Sequence, residues 1–158
     1  LVEFSIAIGL GSLVCTYLSN GQIHKKFIPA ALVGISILTL LMLLLNRVPT
    51  AHTLSVTEFS HSLHGIINYG LIFGIGFIAG FYSITGYNEL QLISPLKTFS
   101  QIIAVSNVLN ATYMLMMTIA CTLLLILINL WWLFIIVIVA NLIIAYNYWR
   151  YNFPRHNK

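Results

Sequence analysis

The chain has 158 residues, of which 59% are hydrophobic and 6% charged, with a formal net charge of +4 and a mean hydropathy of +0.96. Soluble domains are roughly a quarter charged, so three acidic and seven basic side chains cannot clothe a water-facing exterior, and the surface must face lipid. So sparse a charge also excludes a nucleic-acid-binding patch and a polybasic membrane anchor, leaving an all-α integral membrane bundle as the expected fold class.

A spanning helix needs about 20 apolar residues, because ~30 Å of hydrocarbon is crossed at 1.5 Å per residue. Glu3 precedes the first apolar run, with neither a basic n-region nor a small-residue cleavage site. A signal peptide is therefore not expected, and with Leu1 in first place the chain reads as a fragment of something longer. The first predicted span covers 4–19 and ends at the turn-forming Ser19-Asn20-Gly21-Gln22, with Lys25 and Lys26 beyond. The second covers 27–45, with Pro29 tolerated in its first turn. Residues 46–64 are polar and rich in His, Thr and Ser, and read as an exposed loop. A third span covers 65–87. Asn88-Glu89-Leu90-Gln91 and Ser94-Pro95-Leu96-Lys97 then read as a short polar connection.

From Thr98 to Trp149 no charged residue occurs. That length is about two spans, so the segment must fold back on itself. Asn129-Leu130-Trp131-Trp132 is the predicted hinge, giving spans at 99–128 and 131–150. In the last of these, Trp131 and Trp149 stand ~27 Å apart along a helix axis, matching the two interfacial aromatic belts of a bilayer. Cytoplasmic loops carry an excess of Lys and Arg. With five spans, one orientation gathers Lys25, Lys26, Lys97, Arg150, Arg155 and Lys158 inside and leaves Arg47 outside. The N-terminus of the segment is thus expected outside and the C-terminus in the cytoplasm.

Small and polar residues inside the spans are the candidates for function. Gly70/Gly74 and Gly76/Gly80 have GxxxG spacing, which lets helix backbones approach closely in lipid; a weaker version is Ala7 and Gly11. They serve either static packing or a seam between moving helices. Asn107 and Asn110 share one helix face, with Ser106 before them and Tyr113 a turn beyond. Carboxamides in hydrocarbon must find partners or water, so this group either glues helices together or lines a substrate path. Glu89 and Lys97 are candidates for a gate or ion pair at a helix end, and a solvated end is the simpler alternative. Glu58, His61 and His64 fall at i, i+3 and i+6, a spacing too weak to assign a metal. Cys15 and Cys121 form no CxxC pair or disulfide framework. No nucleophile–base pair or phosphate-binding loop occurs, so an enzyme is not expected, nor is a cofactor.

Several stretches, taken in order, resemble one family. Gly9-Leu10-Gly11-Ser12-Leu13, then Leu18-Ser19-Asn20-Gly21-Gln22-Ile23, then Pro29-Ala30-Ala31 resemble the eighth and ninth helices of a major facilitator superfamily transporter of the lysophospholipid branch. Gly80-Phe81-Tyr82-Ser83 and the stretch from Ile102 to Ala111 are similar to its tenth and eleventh helices, and Ala140 to Tyr146 with Arg150-Tyr151 to its last. The best segment reads Ile102-Ile103-Ala104-Val105-Ser106-Asn107-Val108-Leu109-Asn110-Ala111. Gln101 stands where the branch usually has arginine, and Ser106 where it has the first of two asparagines. The acidic residue of the superfamily's cytoplasmic loop is absent near Ser19 and Asn20.

The resemblance implies that residues 1–158 are a partial C-terminal transmembrane domain, equivalent to helices 8–12 of a twelve-helix fold. The implied parent moves lysophospholipid or a related amphipathic lipid across the bacterial inner membrane by alternating access. Its partners would be membrane lipids, the lipid-like substrate and the missing N-terminal half. The alternatives are an exporter of a drug or small metabolite, or a non-transporting membrane subunit. An acidic residue well inside a span, as a proton relay needs, is lacking, which weighs against proton-coupled export by this segment.

Overall fold

The computed structural model describes residues 2–19, 26–46, 56–95 and 98–152, and these are helical almost throughout. In lipid the backbone has no water to bond, so each apolar segment satisfies its amides internally as a helix. The helices are α1 (Val2–Ser19), α2 (Phe27–Leu45), α3 (Val56–His61), α4 (Leu63–Ile93), α5 (Phe99–Leu127) and α6 (Leu130–Asn152). Five of them, all but α3, are long and apolar enough to cross a membrane. The protein is an all-α, multi-pass membrane protein.

Two boundaries differ from the sequence expectation. The 46–64 loop contains α3, and α4 already begins at Leu63. Ser62 makes that start: its side chain accepts a bond of 3.0 Å from the Gly65 amide, an N-cap that satisfies one of the first-turn donors. At the other end, Asn88-Glu89-Leu90-Gln91 is not a connection but the last turns of α4, which continues to Ile93. At 31 residues the helix is ~46 Å long, so its polar end projects beyond a ~30 Å hydrocarbon layer and has no need to unwind there. The stop comes from Pro95. Proline disfavours helical backbone in the residue before it, and Ser94 is extended at φ −84°, ψ 128°.

α4 is the central element, packed against α1 and α2, while α2 also packs against α6. On α1 the buried residues are Ala7, Gly11, Cys15 and Ser19, one every four residues and hence one stripe of the helix. Facing them on α4 are Gly76 and Gly80. A β-carbon at Gly76 would lie 3.0 Å from that of Ala7, and one at Gly80 would press on the Ile8 carbonyl and come within 2.8 Å of the Ser12 amide nitrogen. Reciprocally, a β-carbon at Gly11 would collide with the Phe77 carbonyl. The two backbones are in near contact, as small residues permit in membranes. Below them Cys15, 1% exposed, has its sulfur 3.6 Å from Thr85 Oγ1.

The other two candidate packing glycines behave differently. Gly74 faces α2, where a β-carbon would meet Leu38 Cδ1 at 3.0 Å, and one at Gly70 would meet nothing within 4 Å. The α2–α6 contact centres on Ile28, Leu32 and Ala145, with Tyr148 against them. α5 has the thinnest packing: it meets α6, and none of its residues is buried.

Candidate functional site

The candidate polar residues of α5 meet α4 across a cleft. Asn110 and Ser106 line one wall, and Tyr82, Ser83 and Tyr87 the other, around about 200 Å³. Gly86 lies between the two tyrosines and would meet nothing with an added β-carbon, so its lack of a side chain helps to keep the cleft open. Next to this space the Tyr87 hydroxyl donates to Asn107 Oδ1 at 3.1 Å. Asn110 is eleven residues past Phe99, roughly 16 Å along the helix, well inside the span. The space is smaller than the roughly 300–1,000 Å³ of a typical ligand pocket.

Of the sequence candidates, the structure therefore brings Asn107 and Asn110 to this cleft. Tyr113 is separate: it is 62% exposed and does not line the space. Glu89 is a turn or so beyond, half-buried on α4, and accepts a bond of 2.8 Å from the Tyr148 hydroxyl of α6. The pairing of Glu89 with Lys97 falls outside the described residues. Tyr82, Tyr87 and Tyr148 carry polar roles that sequence reasoning did not assign. For Tyr87 the available signal was its position two residues before Glu89; Tyr82 and Tyr148 had no such neighbour among the candidates.

A second polar cluster ties the opposite end of α4 to α2. The Asn46 amide nitrogen donates to Asn68 Oδ1 at 2.8 Å and to the Met42 carbonyl at 2.7 Å. Asn68 Nδ2 donates to the His64 carbonyl at 2.9 Å, and His64 Nε2 is 3.1 Å from Asn46 Oδ1. Asn68 is 5% exposed, and its place in the second turn of α4, within the apolar run of the predicted third span, was a signal in the sequence. His64 is thus drawn to α2 instead of to Glu58 and His61 on α3. Among the described residues no three His, Cys, Asp or Glu side chains converge as metal ligands.

No family model, curated protein or solved structure matches the chain. The chemistry on offer is neutral and polar: amides, hydroxyls and tyrosines set between apolar helices. Such a set can bind and orient a polar group. Among the described residues that line the cleft there is neither a carboxylate nor an imidazole to move a proton.

Proposed function

We propose that this chain is the C-terminal part of a membrane transporter that moves lysophospholipid, or a related amphipathic lipid, across a bacterial inner membrane. The observation that carries the reading is the α4–α5 cleft. Polar groups inside a membrane span are costly and face the bundle interior or a water-filled path, and here those of α5 face tyrosines and a serine across an open space. Secondary transporters hold their substrates near the midplane, between two halves that rock about the site. The cleft would supply one wall of that site, with Asn110 and Ser106 bonding the polar end of the lipid. Resemblance of the Ile102–Ala111 stretch to the lysophospholipid branch of the major facilitator superfamily selects the substrate class.

A second reading is a non-transporting membrane subunit. The absence of any buried residue on α5 favours it, because a helix so little covered within the chain has surface to offer a partner. Reconstitution separates the two. A longer chain containing this segment should translocate fluorescent lysophospholipid in proteoliposomes, and the 158-residue chain alone should not. Asn107→Leu with Asn110→Leu should reduce that transport at least tenfold while circular dichroism and elution volume stay unchanged. Loss of folding instead of transport would favour the subunit reading, and transport by the short chain would refute a half-site.

A further inference from the structure

A groove separate from the α4–α5 cleft follows the seam of α2 and α6. It encloses about 760 Å³, within the roughly 300–1,000 Å³ typical of ligand sites. Its lining includes the small residues Ala30 and Gly34 on α2 and Ala145 on α6. Lys26 and Trp149 stand at one end and Ile37 at the other, and among the described residues none that lines the groove is acidic.

Three features fit one kind of occupant. From Lys26 to Ile37 is roughly 16 Å along α2, about half of a ~30 Å hydrocarbon core, so the groove has the length of a single leaflet. Its charged end coincides with Trp149, an aromatic residue of the kind that sits at headgroup level. Among the described lining residues the one charge is positive, on the exposed Lys26. We infer that the groove seats one anionic phospholipid of the surrounding leaflet. Its phosphate lies against Lys26 Nζ, and an acyl chain lies over Ala30, Gly34 and Ala145. This goes beyond the transport reading: groove and cleft share no lining residue, so either can fail without the other.

Native mass spectrometry of the full chain in neutral detergent, with equal amounts of dioleoyl phosphatidylglycerol and dioleoyl phosphatidylcholine, tests the inference. Phosphatidylglycerol adducts should exceed phosphatidylcholine adducts roughly fivefold, the factor expected of one lysine at an anionic surface. Lys26→Gln should bring the ratio near one, and Lys26→Arg should keep it. Ala30→Trp should remove adducts of both lipids, with helical content unchanged by circular dichroism. Equal binding of the two lipids by the unaltered chain, or a preference that survives Lys26→Gln, would overturn the inference. So would adducts undiminished in Ala30→Trp.

Discussion

At the scale of single residues, the bundle is joined by a few polar side chains, each bonded to another helix. Asn46 and Asn68 illustrate the energetics. Both amides lie where α2 meets α4, and each also bonds a backbone carbonyl of its own helix. Removing one therefore leaves its partner half-satisfied instead of stranded. Side-chain hydrogen bonds between membrane helices average ~0.6 kcal/mol in double-mutant cycles, with a maximum near ~1.7. An Asn46→Ala and Asn68→Ala cycle, read by denaturation in mixed micelles, should give a coupling of about 1 kcal/mol; a value indistinguishable from zero would mean the amides act independently. Tyr148 and Glu89 differ, because here a hydroxyl serves a carboxylate. Bonds to charged groups are worth about 1.5–3 kcal/mol, so Tyr148→Phe should lower stability by about 2 kcal/mol in the same assay, whereas the exposed Tyr151→Phe should leave it unchanged. Sequence alone identified Glu89 as a polar residue at a helix end but not its partner. Which face of α6 turns toward α4 depends on packing, and an apolar helix with little amphipathic bias does not disclose it.

At the scale of the helices, spacing and contact diverge. Four of the six glycines of α4 form two GxxxG pairs of equal merit in the sequence, yet Gly76 and Gly80 meet α1 while Gly74 meets α2 and Gly70 meets nothing within 4 Å. Pairing depends on the partner helix as well, and the matching small residues Ala7 and Gly11 occur on α1 at one depth. Alanine separates these environments by sign. In a helix interior Gly→Ala gains up to ~1 kcal/mol from reduced chain entropy. At Gly70 that gain meets no steric penalty, so Gly70→Ala should be neutral or stabilising. At Gly80 the new methyl presses on backbone atoms of Ile8 and Ser12, which cannot swing aside as a side chain can. Overpacking costs typically ~1–3 kcal/mol, so Gly80→Ala should be destabilising despite the propensity gain. The unfolding midpoints of the two variants should fall on opposite sides of the unaltered chain; the reverse order would mean that α1 and α4 do not meet there. Helix length was also only partly legible. Polar Asn88 to Gln91 looked like a loop because composition signals water, but a helix can leave the bilayer intact, and only Pro95 imposed an end.

For the whole molecule, the number of spans was legible because bilayer thickness imposes a length on apolar runs, whereas their neighbours were not, because lipid-facing and helix-facing residues are equally apolar. The charges retain one global meaning, orientation. α3 and the ends of α2 and α4 nearest to it lie on one side of the membrane, and the ends of α1, α5 and α6 that alternate with them follow from five crossings. Lys26 and Arg150 fall on the side opposite α3 if all five helices cross. From the excess of Lys and Arg in cytoplasmic loops we propose that α3 is outside and the end of α6 inside. Single cysteines test this with a membrane-impermeant maleimide in intact cells, in a background of Cys121→Ala with the buried Cys15 retained. His61→Cys on α3 should be labelled without permeabilisation, and Tyr151→Cys, 87% exposed at the end of α6, only after it. The opposite pattern would invert the molecule and place the Lys26 end of the α2–α6 groove in the outer leaflet. Labelling of both from outside would mean an even number of crossings between the two positions, and so would remove one of α4, α5 or α6 from the membrane. α5 is the element most open to that outcome, since lipid or a partner chain must supply the contacts that the rest of this chain does not.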